Sequence, residues 1–187
     1  MSSASSDYTE FTGERFDCFS HKGRQNGGKS RKGGSSAYTI LITMKIYTVG
    51  FTKKSAQEFF DTLKRNNIKQ IVDVRLNNVS QLAGFTKRDN LQYFLRELCG
   101  IDYYHFEFLA PTKEIRDKYA KSKNWDIYAR EYIELLDSRC VLDKLDKAFF
   151  DRETCFLCSE ASPDHCHRRL LTQYLGEHWG DIEVLHL

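Results

Sequence analysis

Twelve consecutive residues carry most of the chemistry this sequence offers: Cys158-Ser159-Glu160-Ala161-Ser162-Pro163-Asp164-His165-Cys166-His167-Arg168-Arg169. A helix that starts near Cys166 presents free backbone N–H groups and a positive potential, which attract anions. Arg168 and Arg169 add full charges and forked donors suited to phosphate or carboxylate. The same field is expected to lower the pKa of Cys166 and make it a nucleophile, provided its thiol faces the cleft. His167 shares a helix face with Leu170, Leu171 and Tyr174, so its ring is expected to turn inward, toward the strand ends. A core histidine bonded to backbone is the competing structural role. Glu160 is placed to act as general acid or base, with His167 as the alternative. Cys158, at the end of an apolar strand, is read as a ligand contact.

Two further segments converge on the same region if the chain folds as an open parallel sheet, because ligands then bind beyond the carboxyl ends of the strands. The first strand ends at Gly50-Phe51-Thr52, and Gly50 and Thr52 are read as ligand contacts. The second ends at Asp73-Val74-Arg75. The alternation puts both charges on one strand face. A charge inside an apolar strand is costly unless paired. Asp73 is therefore either a second general acid or base with Arg75 holding an anion, or half of a structural pair. Tyr103, Tyr104 and His105 close the third strand, where packing is a commoner role for aromatics than base stacking.

Zinc has to be weighed at the same place. Cys155, Cys158, Cys166 and either His165 or His167 are the right ligand types. On a strand, however, Cys155 and Cys158 point to opposite faces, and Phe156-Leu157 is not a turn sequence. No metal and no cofactor is expected.

The elements that must position these residues alternate between periods. Lys45–Phe51, Gln70–Arg75, Asp102–Phe106, Thr154–Cys158 and Ile182–Leu187 read as strands. Ser55 and Glu58 form a capping box ahead of a helix that runs to about Asn66. Lys87–Leu98 reads as a second helix, stopped by Gly100. Thr112–Phe150 is mostly helical in two or three pieces, and Cys166–Glu177 forms the last helix. This alternation implies βαβ units and an α/β fold. A mostly parallel central sheet of about five strands carries helices on both faces, in a Rossmann-like three-layer architecture.

Composition bounds the rest. The chain has 187 residues, 41% hydrophobic and 13% aromatic, enough for one domain with a real core. No apolar run approaches the ~20 residues of a membrane span, and the opening residues lack a signal-peptide stretch. A cytoplasmic, membrane-free protein is expected, and a disulfide framework is a poor default. The net charge of +2 falls entirely within residues 1–43, a Gly/Ser/basic stretch that reads as a disordered tail; residues 44–187 are neutral and read as one α/β domain. A neutral domain lacks the bulk basic footprint of a non-specific nucleic-acid binder. Gly23 to Ser30 matches G-x-x-x-x-G-K-S, but without the strand before and the helix after that a phosphate loop needs.

From Met44 to Leu187 the chain resembles the family of the domain of unknown function number 488. The resemblance is carried by Tyr47-Thr48-Val49-Gly50-Phe51-Thr52, Val72-Asp73-Val74-Arg75, Phe85, Leu91, Gly100-Ile101-Asp102-Tyr103-Tyr104-His105 and Leu109. It closes on Leu157-Cys158-Ser159-Glu160 with Cys166-His167-Arg168. Members often carry His-Ser after the first glycine, where Phe51-Thr52 stands here. The resemblance implies an α/β fold with the Asp-x-Arg and Cys-x-Glu…Cys-His-Arg elements facing one cleft, and no settled activity. The residues point to an enzyme, a hydrolase or transferase, acting on a phosphate-bearing ligand such as a nucleotide or nucleic-acid end. The alternatives are a binding or regulatory module without turnover and a zinc-stabilised interaction domain.

Overall fold

The computed structural model describes residues 43–79 and 83–187. The Gly/Ser/basic tail and its phosphate-loop match lie outside the described residues. Five strands, β1 (Met44–Gly50), β2 (Gln70–Asp73), β3 (Asp102–His105), β4 (Thr154–Cys158) and β5 (Ile182–His186), form one sheet. Its order is β3-β2-β4-β1-β5, and all four neighbouring pairs are parallel. The fold is the expected α/β architecture. Its strand order places β4 between β2 and β1, unlike the 3-2-1-4-5 order of dinucleotide-binding sheets.

The helices are α1 (Ala56–Arg65), α2 (Arg88–Phe94), α3 (Lys113–Ser122), α4 (Trp125–Ser138), α5 (Val141–Lys144) and α6 (His167–Trp179). Helix α1 starts at the expected capping box, with Ser55 and Glu58 bonded in both directions. Helix α2 runs into a π-turn over Leu95–Cys99, and Gly100 stops it in the left-handed conformation, at φ 63°. That backbone geometry favours a residue without Cβ.

Direction of travel decides which face each helix covers. From β1 to β2 to β3 the chain moves toward one edge; from β3 to β4 to β5 it moves back. Right-handed crossovers therefore put α1 and α2 on one face and the later helices on the other. The core divides in the same way. Val49, Ile71, Cys155 and Leu157 pack with Phe59, Leu63, Leu91 and Leu95 on the α1/α2 face. Ile46, Val72, Val74 and Phe156 pack with Tyr132, Leu136, Leu171 and Leu175 on the α4/α6 face. Every residue of β4 is buried, as its uninterrupted Thr-Cys-Phe-Leu-Cys sequence requires of a strand covered on both sides. Truncating Leu63 or Leu171, both fully buried, would cost about 2–5 kcal/mol. No helix among the described residues is long and apolar enough to cross a membrane.

Candidate active site

The chain leaves β1 and β2 toward one face and β4 toward the other. The carboxyl end of β4 is therefore flanked on both sides by a reversal of direction, the place where open parallel sheets form a crevice. The loop that follows runs from Cys158 to Cys166, and α6 begins at once.

Three parts hold this loop down. The Thr52 backbone N–H donates to the Ser159 carbonyl at 3.1 Å. Gly50 faces the loop with nothing between: a Cβ there would stand 1.7 Å from the Glu160 carbonyl oxygen and 3.0 Å from Arg168 Nη1. Arg168, fully buried, donates from Nη1 to the Glu160 carbonyl at 2.5 Å and from Nη2 to the Ala161 carbonyl at 3.3 Å. Gly50 and Thr52, expected as ligand contacts, seat this loop, one by its missing Cβ and the other by its backbone N–H. The Glu160 side chain is exposed, and its main chain is what builds the site.

Inside the loop two sulfurs and an imidazole meet. Cys166 Sγ donates to Cys158 Sγ at 3.2 Å. His167 Nδ1 lies 3.6 Å from Cys158 Sγ, and its Nε2 is 3.0 Å from the Val74 carbonyl oxygen. A carbonyl only accepts, so Nε2 carries hydrogen and Nδ1 is the nitrogen that exchanges a proton with the thiol. The hydrogen bond from Cys166, and then the charge and hydrogen bond of His167, hold Cys158 well below the usual thiol range against the opposing effect of burial. Burial pulls His167 down, but the charge of Cys158, their hydrogen bond and the Val74 carbonyl raise it above its ordinary value. Both shifts favour a thiolate–imidazolium pair. Cys166 moves the other way: donating to Cys158 and burial both push its thiol up. The expectation that Cys166 is the lowered thiol is therefore corrected. The helix field reaches Cys166, but its sulfur serves as donor to Cys158, and the thiol held down is that of Cys158.

Tyr132 packs edge-on against the His167 ring with centroids 5.8 Å apart, and Trp125 meets His165 edge-on at 5.0 Å and stacks on Tyr128 at 5.2 Å. Sequence reasoning passed over this wall. Its signal was the i, i+4 pair Tyr128 and Tyr132 within a segment read only as helical. Arg169 is half-exposed beside Asp164, at 3.8 Å, and stays outside the centre.

Asp73 and Arg75 do not join this group. They lie on the α1/α2 face. Asp73 Oδ1 accepts from Arg75 Nε at 2.7 Å and from the Arg75 backbone N–H at 3.1 Å. Its Oδ2 accepts from Arg75 Nη2 at 2.6 Å and from the Tyr103 hydroxyl at 2.7 Å. Arg75 also donates to the Thr86 carbonyl and sits over the Phe51 ring. Burial and then the charge of Asp73 push the Tyr103 hydroxyl up, so it stays a donor. The expected single cleft is thus two clusters on opposite faces of the sheet, because Asp73 is in register with Leu157 and so has the opposite parity to Cys158. Asp73 and Arg75, expected in that cleft, are instead bonded to each other and to Tyr103, which is the paired arrangement the sequence also allowed.

Cys158, Cys166 and His167 place their donor atoms within 4.8 Å of one another, a set that suits a soft cation by type. The Arg168 guanidinium, 3.4 Å from Cys166 Sγ, opposes a cation there by like charge. Cys155 lies on the opposite face, as strand parity predicts, and cannot complete a C-x-x-C set. Two surface concavities, on α1 beside Gln57 and Lys64 and between α3 and α4 beside Lys118 and Glu131, contain no residue of the thiol centre.

Fold and site together define a parallel α/β protein with a cysteine–histidine centre at the carboxyl end of its central strand. A family model matches over residues 55–175, which takes in β2, β4, the whole Cys158–Arg168 loop and most of α6. The chain belongs to that family, the domain of unknown function DUF488. No curated protein and no solved structure matches it.

Proposed function

We propose that the protein is an intracellular enzyme that uses Cys158 as a covalent nucleophile on an anionic, phosphate-bearing substrate such as a nucleotide or nucleic-acid end. The observation that carries this reading is the Cys158 Sγ–His167 Nδ1 contact of 3.6 Å, with the ring fixed through Nε2 on Val74. A nucleophile, a base within reach and a third group that orients the base are the parts nucleophilic catalysis needs. The anionic preference is supported by Arg168. It has no carboxylate partner among the described residues, and its buried Nε has no hydrogen-bond acceptor. A fixed, desolvated cation beside Cys166, whose sulfur touches Cys158, favours the negative charge that develops on phosphoryl oxygens.

In the first step the thiolate attacks phosphorus. The S–P bond forms as the P–O bond to the leaving group breaks, and the His167 Nδ1 proton passes to the leaving oxygen. Water then attacks phosphorus and returns a proton to His167, releasing phosphate and the thiolate. A substrate hydroxyl in place of water makes the same chemistry a transfer.

The test compares two alkylating agents of equal reach, anionic iodoacetate and neutral iodoacetamide, with the modified peptide identified by mass spectrometry. Alkylation of Cys158 at neutral pH faster than that of a small free thiol, with a relative preference for iodoacetate that Arg168→Ala removes, is expected. Alkylation no faster than the free thiol would overturn the nucleophile. Fast alkylation without the iodoacetate preference would overturn the anionic substrate.

A further inference from the structure

We infer that Cys158 and Cys166 form a dithiol–disulfide couple through which the protein reduces small hydroperoxides. The inference rests on the reading of Cys158 as a thiolate nucleophile and adds a substrate class and a second catalytic sulfur to it.

The geometry is that of a pair about to bond. The sulfurs stand 3.2 Å apart, and a disulfide needs about 2.05 Å. Cys158 is anchored as the last residue of β4, in register with Gly50 across the β1–β4 ladder. Cys166 is the residue that precedes the first turn of α6. Closure therefore requires a move of about an ångström at the start of one helix, not a rearrangement of the fold.

The two sulfurs are also unequal in a way that assigns their roles. Cys158 faces His167 Nδ1 at 3.6 Å, so it is the attacking sulfur. Cys166 has no imidazole of its own, but its hydrogen already points at Cys158, and Arg168 Nη1 lies 3.4 Å from its sulfur. That cation stabilises the negative charge Cys166 develops when it attacks in turn. A low-pKa thiolate beside a second thiol is the arrangement that forms a sulfenic acid and then condenses it.

Size selects the oxidant. Cys158 is 3% exposed and Cys166 1%. A hydroperoxide presents a small distal oxygen and so meets the least obstruction at so buried a sulfur.

The steps balance. The Cys158 thiolate attacks the distal oxygen of the hydroperoxide, the O–O bond breaks, and the departing alkoxide takes the Nδ1 proton of His167. An alcohol and Cys158 sulfenic acid result. Cys166 then attacks Cys158 Sγ. The S–S bond forms as the S–O bond breaks, and the hydroxide leaves as water with the proton that Cys166 gives up. The protein has been oxidised by two electrons and the hydroperoxide reduced by two. An external dithiol returns the electrons by thiol–disulfide exchange. While the disulfide stands, Cys158 is unavailable for the covalent chemistry proposed above.

The test exposes the full-length reduced protein to stoichiometric hydrogen peroxide. A mass loss of about 2 Da with a Cys158–Cys166 crosslinked peptide is expected, as is loss of Cys158 alkylation by iodoacetamide that dithiothreitol restores. In Cys166→Ser the oxidation should stop at a sulfenic acid on Cys158, trapped by dimedone. A crosslink elsewhere, or oxidation no faster than that of free cysteine, would overturn the couple. The wild-type measurements suffice if the variant does not fold. Rapid alkylation of Cys158 without the peroxide-driven crosslink defeats the couple alone, whereas slow alkylation defeats the nucleophile and the couple together.

Discussion

The sheet carries two polar clusters near the carboxyl ends of its strands, one on each face, and they are built on opposite plans. Around Asp73 every acceptor is used: two bonds from the Arg75 side chain, one from its backbone and one from Tyr103. Around Cys158 the pairing stays incomplete. The buried Arg168 has no carboxylate among the described residues and leaves Nε without an acceptor, and a thiol donates to a thiolate where a stronger donor would stabilise it more. A closed network fixes structure. A cluster with an unused donor and a displaceable proton can still react. Neighbouring strands thus hold a fully paired and an incompletely paired polar cluster within one small sheet.

The sharpest way to break this contrast is to remove one member of each cluster. Cys158→Ser is expected to abolish rapid alkylation entirely and to cost about 1–3 kcal/mol in urea unfolding, since a neutral hydroxyl replaces the partner of a buried imidazole. Asp73→Ala is expected to weigh the other way. It strands a buried guanidinium and should cost about 3–5 kcal/mol in urea unfolding, while the folded fraction keeps its thiol reactivity. If Asp73→Ala silenced Cys158 in a folded protein, the two faces would be one site after all.

Gly50→Ala probes how closely the loop must seat. Its new Cβ would collide with the Glu160 carbonyl. We expect a loss of about 1–3 kcal/mol from overpacking together with slower alkylation of Cys158, because the loop that places Cys166 and His167 is displaced. Stability unchanged with full reactivity would show that the loop seats elsewhere.

A pH profile sharpens the reactive side. The Cys158 thiol is shifted down, so its thiolate persists as pH falls through the ordinary thiol range and is lost only below that lowered value. His167 is shifted up, so its positive charge persists above the ordinary imidazole value and is lost as pH rises through the raised one. Both charges coexist between these limits. His167→Gln removes the cation but keeps the Cys166 hydrogen bond. Alkylation at neutral pH should fall roughly tenfold or more, with its midpoint moved toward that of a free thiol. An unmoved midpoint would assign the activation to Cys166 and the helix start alone. The smallest effect is expected for Arg169→Ala, half-exposed and weakly paired with Asp164. Unfolding should change by less than about 0.5 kcal/mol, and the rate of alkylation by neutral iodoacetamide should hold.

Much of this arrangement was legible in the sequence because it depends on period. Alternation put Asp73 with Arg75 and separated Cys155 from Cys158. The continuous apolar run of Thr154–Cys158 marked a central strand, and Ser55 with Glu58 marked a helix start. The helical spacing of Leu170, Leu171 and Tyr174 carried His167 inward. What the sequence left open depends on long-range placement. Whether Asp73 and Cys158 share a face follows from inserting β4 between β2 and β1 and from the parity of their register, and neither is written locally. The choice between Cys158 and Cys166 as the activated thiol also turned on tertiary contacts. A helix start argues for Cys166, but an imidazole anchored on Val74, ninety-three residues away, selects Cys158. The aromatic wall of α4 escaped because Tyr128 and Tyr132 read as ordinary core.

Where β1 meets the Cys158–Cys166 loop, main chain rests on main chain, with no side chain to trim or reshape. Redesign aimed at a roomier crevice will gain nothing at position 50, which already holds the smallest residue. Space can be opened from the opposite bank, by shortening the aromatic side chains of α4 or relaxing the guanidinium that clasps the two carbonyls. A protein engineer would begin at Trp125 and Tyr128, treating that helix as the adjustable jaw and the strand as the fixed one.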